Sequence, residues 1–518
     1  MRRDEMIDAI AKRKEPWDIL VIGGGATGLG IAVDAASRGY STLLLEQHDF
    51  AKGTSSRSTK LVHGGVRYLQ QGDISLVMEA LKERGLMIKN APHLVKNQPF
   101  IIPNYDWWDG PFYQIGLKVY DWMSGKLGIG SSKKLSKEET VKYIPTIDQT
   151  RLTGGVKYYD GQFDDARMAI SLALTAVDYG ATLVNYFAVT GISKNDEIVS
   201  GVSATDSETG INYDIPAKVV INATGVFADK IKQLDEPDTP DMIQPSQGTH
   251  VVVDREFLPH EYAIMVPHTK DGRVMFAVPW HGKVVLGTTD TLVNTASLEP
   301  KPLSSEIDFI LETAGNYLVK NPTRADIKSV FAGLRPLAKP EGDDQATKEV
   351  SRHHKILVSK SGLISIVGGK WTTYRKMAED TVDQAMIIGG LDEQKAITEN
   401  LLIHGYLNFD SNETDVYGAD RKILDMLISN SPQLGDKLSP HLSITGAHVI
   451  WAVQNEMART VEDVLARRTR SLLLDAQESI NIAPAVAILM AREMNEDDKW
   501  VKHQVEHFQN LAAGYLVS

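Results

Sequence analysis

The feature that most constrains this chain is a glycine-rich turn that joins a buried strand to a helix near the N-terminus. The strand is predicted from Asp18 to Ile22, and the turn that follows carries three glycines at G-x-G-x-x-G spacing, namely Gly23, Gly25 and Gly28. Glycine at these positions allows a tight turn, the close approach of a pyrophosphate and close packing of the helix on the strand. The pyrophosphate would lie at the amino end of the helix, whose free N–H groups attract anions.

A second strand and a terminal acid complete this unit. The helix is predicted from about Gly28 to Arg38, and residues 41–45 form a second buried strand that leads into Glu46. A carboxylate about 20 residues after the glycines accepts hydrogen bonds from ribose hydroxyls. Strand, glycines, helix, strand and acid in this order predict a dinucleotide-binding βαβ unit.

Composition excludes several classes of protein and of site. The formal net charge is −12 at pH 7, and an acidic surface repels phosphate backbones, so we expect no nucleic-acid partner. The sequence has no cysteine, which excludes disulfides, thiolate metal sites, a cysteine nucleophile and a flavin bound through a thioether. We predict no metal site. At 518 residues the chain is too long for a single core and suggests roughly two to four domains.

No segment of the sequence has the pattern of a membrane anchor or a signal peptide. The N-terminal residues lack an apolar core of the signal-peptide type. The longest uncharged apolar stretch, Ile19 to Val33, is interrupted by glycines and is shorter than the roughly 20 residues that span a bilayer. We therefore expect a cytoplasmic protein, either in solution or bound peripherally to the inner face of the cell membrane.

Two windows without acidic residues predict sites for anions. The first, from Ala51 to Gly72, is rich in glycine and in hydroxyl groups, and it carries four cations: Lys52, Arg57, Lys60 and Arg67. In an acidic protein such a window suits a cofactor pyrophosphate, which favours FAD, and also a substrate phosphate. A solvated basic loop is the alternative interpretation.

The second window runs from Val350 to Ala378 and contains the motif IVGGKWTTYRK. A strand that leads into Gly368, Gly369 and Lys370 could present backbone N–H groups and an ammonium to the N1–C2=O edge of a flavin. A positive charge at that edge stabilises the anionic reduced flavin. Taken alone, the motif is equally compatible with an ordinary turn.

Together these motifs resemble the FAD-dependent, quinone-linked glycerol-3-phosphate dehydrogenase family, within the flavoproteins of the glutathione-reductase and D-amino-acid-oxidase type. From residue 18 to about 380 the matching stretches follow in order: GGGATGLGIAVDAASRG, TSSRSTKLVHGGVRYL, APHLV, DDAR, INATG, GTTD, GLRPL and GGKWTTYRK. The C-terminal part matches chiefly through VEDVLARRTR. The resemblance implies oxidation of sn-glycerol 3-phosphate to dihydroxyacetone phosphate, with a non-covalent FAD and onward electron transfer to a membrane quinone.

The resemblance also implies a pocket on the flavin's face, lined by residues 63–68, His250 and Arg335. Guanidinium groups bind phosphate bidentately and stay charged when desolvated, so Arg335 and Arg67 are candidate phosphate anchors, with Lys370 as a third and Tyr68 beside them. The proton of the substrate hydroxyl needs an acceptor that titrates near neutrality, for which His63 and His250 compete. The candidate cofactor contacts are Gly23, Gly25, Gly28, Glu46, Thr54, Ser55, Lys60, Ala223, Gly225, Gly369, Lys370 and Thr372.

The implied fold is α/β and has three domains. A Rossmann-like FAD-binding domain would comprise residues 16–100, 156–245 and 355–390, and a substrate domain with an antiparallel sheet would comprise residues 101–155 and 246–354. After about residue 395 glycine becomes sparse and helical periodicity dominates, which predicts a C-terminal helical domain from 395 to 518. Ser136 and Glu139 predict a capping box at the start of a short helix that stops before Pro145. Asp164, Asp165 and Arg167 are interpreted as capping and core-pairing residues rather than catalytic ones.

Several alternatives remain open at this stage. A glycerol-3-phosphate oxidase would pass electrons to oxygen; the short polar loop from Pro340 to Lys348, where oxidases tend to carry an insertion, favours the dehydrogenase. An amino-acid oxidase of the same superfamily and a non-enzymatic flavin sensor or scaffold are the other candidates. The sequence leaves the oligomeric state undecided, a homodimer included.

A quinone-linked enzyme must reach the membrane, and two segments are candidates for contact with it. The stretch to Lys14 carries five basic and three acidic residues, with Met6, Ile7 and Ile10 on one helical face. The stretch from Asn104 to Lys142 combines aromatic side chains with lysines, which suits a headgroup layer: Trp107, Trp108, Phe112, Tyr113, Trp122, Lys118, Lys126, Lys133, Lys134 and Lys137. The alternative is a frayed basic terminus and an aromatic core beside a solvated lysine helix.

Overall fold

Two β-sheets and a helical C-terminal region make up the part of the chain that the structure describes. This computed structural model describes residues 1–65, 73–105, 116–120, 123, 127–267, 269, 273–339, 354–407 and 415–517. In chain order the strands are β1 (Trp17–Ile22), β2 (Thr42–Leu45), β3 (Leu61–Val62), β4 (Val95–Asn104), β5 (Lys133–Leu135), β6 (Gly154–Phe163), β7 (Thr182–Val184), β8 (Phe187–Asn195), β9 (Ile198–Asp206), β10 (Asn212–Asn222), β11 (Ile243–Asp254), β12 (Ala263–Val266), β13 (Met275–Trp280), β14 (Lys283–Gly287), β15 (Thr291–Leu292), β16 (Ile327–Ala338), β17 (Lys355–Val358) and β18 (Ile364–Val367).

The helices frame these sheets and fill the C-terminal region. Those delimited in the described ranges are α1 (Arg3–Lys12), α2 (Ala26–Ser37), α3 (Ile74–Asn90), α4 (Lys137–Tyr143), α5 (Asp165–Asp178), α6 (Ala228–Asp235), α7 (Ser304–Gly315), α8 (Tyr374–Gly389), α9 (Arg421–Asn430), α10 (Gly446–Asn455), α11 (Ser471–Leu474), α12 (Ala476–Met494) and α13 (Asp498–Ala512), with a π-helix at Asp463–Arg468. Short 3-10 helices include Thr54–Ser56, Gly225–Phe227, Trp371–Thr373 and Ala513–Tyr515.

The first sheet is built on the predicted βαβ unit. Its strand order is β17-β18-β10-β1-β2-β7, and β18, β10, β1, β2 and β7 are parallel. Ile22 lies opposite both Asn222 and Leu45, so the strands β1, β10 and β2 end together. Their carboxyl ends, joined by that of β18, form one edge of the sheet, which is where open α/β sheets bind their ligands.

Apolar runs on both faces explain why these strands are buried. On one face α2, α5 and α8 contribute to one core, which includes Leu29, Met168 and Met377. On the other face, Leu20 and Leu43 pack with residues of the β8–β9 hairpin. The helix–sheet–hairpin layering holds the carboxyl edge of the parallel strands in place.

The second sheet is mainly antiparallel, with the order β15-β11-β14-β13-β12-β4-β6-β3 and with β16 paired to β11. Along that pair Ser246 lies opposite Arg335, and His250 lies opposite Phe331. Ser246 and His250 are four residues apart on one strand, so both pairs are on the same face of the sheet. The predicted combination of an α/β cofactor fold, an antiparallel sheet and a C-terminal helical region is confirmed; the exact domain limits stay a prediction.

The C-terminal helices pack against this second sheet. Val464, Leu465 and Leu472 share a buried cluster with Val252 and Phe331 of the sheet. The helical region therefore supports the same strands that carry His250 and Arg335.

Two details differ from the sequence-based predictions. Helical periodicity predicts one helix from residue 447 to 459, but α10 ends at Asn455, and Met457 shortly after it has φ +52°. The apolar face of α1 was a candidate for contact with lipid; instead Ile10 is buried and Met6 and Ile7 pack against the core between the first sheet and the β8–β9 hairpin. That face is occupied within the protein, so this part of the membrane hypothesis is wrong.

The predicted helix starts are confirmed. Ser136 and Glu139 form a capping box at α4, and the side chain of Asp164 caps α5 by accepting from the N–H of Arg167. In the described ranges, no helix is both long enough and apolar enough to cross a membrane.

Candidate active site

One cavity of about 1690 Å³ runs along the carboxyl edge of the parallel sheet and onto the antiparallel sheet. Its first part is lined by the residues that follow β1, β2, β10 and β18, including Gly23, Glu46, Ala223 and Gly369. Its second part is lined by side chains of β11 and β16. The cavity thus brings the two predicted anion-binding windows together.

The glycine turn after β1 is as tight as the spacing predicts. Gly23 has φ +109°, and a Cβ there would lie 2.8 Å from the carbonyl oxygen of Ala223. A Cβ on Gly28 would lie 1.9 Å from the carbonyl oxygen of Gly23. Gly28 is buried within α2 and is not among the residues that line the cavity, so its place is in the packing of helix on strand.

The amino end of α2 opens into the cavity without a side-chain cap of its own. Its N-cap is Gly25, and the N–H of Ala26 donates to the hydroxyl of Ser55 at 2.9 Å. Ser55 is itself held by Trp371, whose indole N–H donates to its carbonyl at 2.9 Å, and Thr54 donates to the carbonyl of Leu334 at 2.6 Å. The helix end and this hydroxyl-rich loop form a site where the helix dipole favours negative charge.

Glu46 follows β2, as predicted. Its carboxylate accepts hydrogen bonds from the N–H of Gly24 at 2.6 Å and from the N–H of His48 at 2.8 Å. Burial raises the pKa of Glu46, although these two N–H groups favour its charged form. The carboxylate lines the cavity one strand away from the glycine turn.

The turns after β10 and β18 complete the cofactor end. Gly225 has φ +58°, and Gly368 and Gly369 have φ +77° and +72°. Ala223, Gly225, Gly369, Lys370 and Thr372 line the cavity. The hydroxyl of Thr372 also accepts from the N–H of His63 at 3.3 Å, which ties this turn to the His63 loop.

Lys60 is placed differently from our expectation. It was predicted to contact the cofactor, but it is fully buried and is not among the residues that line the cavity. Its ammonium donates to Asp165 at 2.7 Å and to the carbonyl of Ser56 at 2.8 Å. Burial lowers the pKa of Lys60 to about 7, even though Asp165 opposes the shift. A desolvated ammonium needs a carboxylate partner, which Asp165 provides. Lys60 therefore stabilises the loop by joining the carbonyl of Ser56 to Asp165.

His250 is buried beside the loop that contains Thr59. Its Nε2 lies 2.9 Å from the hydroxyl of Thr59, and its ring stacks on Phe331 with centroids 4.8 Å apart. A Cβ on Gly287, the residue opposite His250 on β14, would lie 2.4 Å from its Cδ2, so glycine makes room for the ring. Burial, reinforced by the charges of Lys60 and Arg335, lowers the pKa of His250 well below its ordinary value.

Arg335 lies on β16, on the same sheet face as His250. Its guanidinium pairs with Asp290 at 3.0 Å and donates to the carbonyl of Thr289 at 3.0 Å. Gly248, opposite Gly333 on β16, makes room for the guanidinium: a Cβ on Gly248 would lie 2.5 Å from Nη2 of Arg335. About a quarter of the Arg335 side chain, 26%, is exposed, so the group remains accessible from the cavity.

The remaining candidates divide into two groups. His63 lines the cavity near Thr372, as does Lys370. Arg67 and Tyr68 lie outside the described residues, as do Trp107, Trp108, Phe112, Tyr113, Trp122, Lys126 and the loop from Pro340 to Lys348.

Sequence reasoning missed two features of the site. Thr59 was inside a quoted motif but was not chosen, because nothing local indicates that its hydroxyl meets His250. The arginines of VEDVLARRTR were noticed only as a resemblance, whereas Arg470 donates to Asp165 at 2.8 Å and Arg468 donates to Asp49 at 2.6 Å, both beneath the cavity loops. Three arginines lie within the four residues 467–470, and the sequence alone does not show that all three are buried.

Two family models match the chain. The one described as "FAD dependent oxidoreductase" matches residues 18–375. The one described as "C-terminal domain of alpha-glycerophosphate oxidase" matches residues 364–501.

Curated relatives and solved structures agree with these matches. The mitochondrial glycerol-3-phosphate dehydrogenase of Bos taurus is 38% identical over 96% of this chain and 73% of its own length. That of Schizosaccharomyces pombe is 38% identical over 97% and 88%. The structure of the glycerol-3-phosphate dehydrogenase from Bacillus halodurans, complexed with FAD, superposes with a TM-score of 0.78 at 30% identity and covers 99% of this chain and 98% of its own.

More distant structures share the fold alone. The L-α-glycerophosphate oxidase of Mycoplasma pneumoniae has a TM-score of 0.56 at 20% identity, with 75% of this chain and 98% of its own covered. The glycine oxidase of Geobacillus kaustophilus has a TM-score of 0.55 at 17% identity, with 76% and 100% covered.

Proposed function

Because this chain belongs to the FAD-dependent glycerol-3-phosphate dehydrogenase family, we propose that it oxidises sn-glycerol 3-phosphate to dihydroxyacetone phosphate. The observation that carries the proposal is one cavity that is lined by the glycine turn and the helix end and also by a guanidinium, an ammonium and two histidines. An anionic polyol phosphate needs such a set: cations for the phosphate and a neutral acceptor for the hydroxyl proton.

The residues of the cofactor end fit FAD. The amino end of α2 would hold the pyrophosphate, and Glu46 would accept from the ribose hydroxyls. The turn at Gly368 and Gly369, with Lys370 behind it, would hold the isoalloxazine ring by backbone N–H groups and a positive charge. FAD supplies the hydride acceptor when it is bound. The sequence has no cysteine through which it could be attached.

Cations that line the cavity would bind the substrate phosphate. Arg335 is pre-oriented by Asp290 and Thr289, so its planar fork is held in one geometry before the substrate arrives. Lys370 lines the same cavity and would add a second positive charge. We propose that Arg67 and Tyr68, from the adjoining motif, complete this subsite.

His250 is our choice for the proton acceptor. Its lowered pKa keeps the imidazole neutral in the free site, so that a lone pair is available to accept a proton. The cation Arg335 contributes to this shift, and a bound phosphate dianion would offset its charge, which would raise the basicity of His250 when substrate is present. His63, which also lines the cavity, is the alternative.

We further propose that the electrons pass to a membrane quinone and that the enzyme docks on the membrane surface to deliver them. Support comes from the dehydrogenase relatives and from exposed lysines in the second candidate segment, Lys118, Lys133 and Lys134. An oxidase that uses oxygen is the second candidate, because the C-terminal model is named after one.

Anaerobic reduction tests the proposal. Glycerol 3-phosphate added to the oxygen-free holoenzyme should bleach the flavin absorbance, whereas glycine or D-alanine should not. Bleaching by an amino acid alone would instead assign the chain to the amino-acid oxidases. Reoxidation of the bleached enzyme is then timed with a soluble quinone and with air-saturated buffer. Faster reoxidation by oxygen would favour the oxidase, and binding to anionic vesicles at low salt tests the membrane contact.

A further inference from the structure

We propose that Thr59 is a positioning residue for the oxidation: its hydroxyl accepts a hydrogen bond from Nε2–H of His250, which leaves Nδ1 as the atom that takes the proton of the substrate hydroxyl. This inference rests on the proposed function, in which His250 is the base. In the reaction the carbon gives its hydride to the bound cofactor, the hydroxyl gives its proton to Nδ1, and a C=O double bond forms.

The surroundings of the ring leave Nδ1 as the available nitrogen. Thr59 lies 2.9 Å from Nε2, and the backbone of Gly287 is so close to Cδ2 that a Cβ there would be 2.4 Å away. One flat side of the ring is covered by Phe331, at 4.8 Å and with only 13° between the ring planes. The Nε2–Cδ2 edge is thus enclosed, and a reacting hydroxyl has to approach from the other edge.

Nδ1 is unsatisfied in the part of the chain that the structure describes. His250 is only 3% exposed, and its Nδ1 has no hydrogen-bond partner there. Buried polar atoms are normally paired, so an unpaired one on a residue that lines a cavity points to a partner supplied by a bound molecule. If Nδ1 carried the proton, a buried N–H would be left without an acceptor, which proteins rarely allow. The tautomer with the proton on Nε2, donated to Thr59, avoids this.

Thr59 is held rigidly enough to select a tautomer. The same carboxylate oxygen of Asp165 accepts from the N–H of Ser58 at 3.0 Å, from the hydroxyl of Ser58 at 2.7 Å and from Lys60 at 2.7 Å. The residues on both sides of Thr59 are therefore tied to one buried anion. Arg470, from the C-terminal region, donates to the other oxygen of Asp165 at 2.8 Å and fixes its orientation. A supporting group fixed in this way orients a base before the substrate arrives.

The test compares Thr59→Val, which keeps the shape and removes the hydroxyl, with Thr59→Ser, which keeps the hydroxyl. Flavin reduction by glycerol 3-phosphate is followed anaerobically by stopped flow. We expect Thr59→Val to lower the limiting rate of reduction about tenfold, the effect of one lost orienting hydrogen bond. Its FAD content and its dissociation constant for substrate should stay within about twofold, and Thr59→Ser should recover most of the rate.

A double-mutant cycle with His250→Asn separates positioning from general damage. In the His250→Asn background, Thr59→Val should cause no further loss, because the group it orients is gone. Thr381→Val is the matched control: Thr381 is buried in α8 and donates to the carbonyl of Met377, away from the cavity lining. The flavin of the Thr381→Val variant should be reduced at the normal rate. If Thr59→Val does not retain FAD, Thr59→Ala replaces it in the double-mutant cycle with His250→Asn.

The outcomes distinguish the positioning role of Thr59 from the role of His250 as the base. A normal rate in Thr59→Val, or an equal loss with and without His250, overturns the positioning role and leaves the proposed base intact. A normal rate in His250→Asn overturns His250 as the base and the positioning role with it. The proposal is supported if Thr59→Val and His250→Asn each slow flavin reduction and the double variant is no slower than His250→Asn alone.

Discussion

Nη1 of Arg335 lies 3.0 Å from Oδ1 of Asp290, at the point where β16 and the turn after β14 meet beside the cavity. The same carboxylate oxygen accepts from the hydroxyl of Ser246, the residue opposite Arg335 on β11. The carboxylate of Asp290 thus orients the guanidinium, and the missing side chain of Gly248 gives it the space that it occupies.

Replacing Arg335 should therefore cost much of the catalytic efficiency. We expect Arg335→Ala to lower kcat/KM for glycerol 3-phosphate by about 2–4 kcal/mol, the range of a charge-assisted contact in a desolvated site. Arg335→Lys should not restore it, because an ammonium lacks the planar fork. Arg324→Ala is the control, since Arg324 is a partly exposed arginine that pairs with Asp308 and does not line the cavity. Normal kinetics for Arg335→Lys would contradict the bidentate model.

The two histidines of the cavity should differ in their effect on flavin reduction. We expect His250→Asn to slow reduction about 10²-fold or more, the usual contribution of a general base, and His63→Asn to slow it much less. Rapid mixing of oxygen-free enzyme with substrate measures both. The reverse order would assign the proton to His63, and small equal losses would show that neither takes it.

Gly28→Ala should prevent the cofactor turn from forming. Its Cβ would lie 1.9 Å from the carbonyl oxygen of Gly23, and this backbone atom cannot move aside as the end of a flexible side chain can. We expect a loss of bound FAD, read as the ratio of flavin to protein absorbance, and a lower melting temperature. Gly514→Ala, where a Cβ meets nothing within 4 Å, is the matched substitution and should keep both at the parent level. A yellow, fully loaded Gly28→Ala would contradict the packing argument.

Asp49 should be a stability determinant that couples the C-terminal region to the cofactor domain. It receives Arg467 at 2.5 Å and Arg468 at 2.6 Å, all three fully or almost fully buried. Asp49→Asn removes the carboxylate that both buried guanidinium groups share. This loss should reduce the free energy of unfolding by about 3–5 kcal/mol. Asp8→Asn, at an exposed pair with Lys12, should change it by less than about 0.5 kcal/mol.

Because of the Asp49 carboxylate, the stability of the fold should decrease at acidic pH. Burial alone would raise the pKa of Asp49, but Arg468 and Arg467 outweigh it and lower the pKa to about 2. A carboxyl whose pKa falls on folding stabilises the fold above its unfolded value and loses that contribution as the pH falls towards 2. Denaturant titrations from pH 5 to pH 2 should therefore converge for the parent and Asp49→Asn. A constant difference between them would show that the carboxylate charge is not the cause.

His404 should make the stability of the fold decrease as the pH rises, which is opposite in sign to the effect of Asp49. Burial by itself lowers its pKa, but hydrogen bonds to Asp178 and Asp420 outweigh this and raise it to about 9. A histidine whose pKa rises on folding stabilises the protein below its unfolded value of about 6.5 and loses that contribution as the pH rises through 9. The melting temperature of the parent should therefore fall between pH 6.5 and 9.5 relative to His404→Gln. Parallel curves for the two proteins would contradict the ion-pair assignment.

The sequence by itself determined the βαβ unit, the identity of its three glycines and the acid after the second strand. It also determined the change to helical structure after about residue 395 and the caps at Ser136 and Asp164. These features depend on neighbours along the chain: strand and helix periodicity, glycine in turns that a Cβ would block, and hydroxyl or carboxylate groups next to free N–H donors. Local spacing is enough to specify them.

The tertiary structure alone decided what the charged and polar side chains meet. Lys60 looked like a cofactor ligand because the sequence shows a cation in a basic window, whereas its burial against Asp165 depends on a residue 105 positions away. The pairing of Thr59 with His250 spans 191 positions, and that of Arg468 with Asp49 spans 419. The free energy of a charge or a hydrogen bond depends on its distance to its partner and on the water excluded around both, and only the packed fold fixes these.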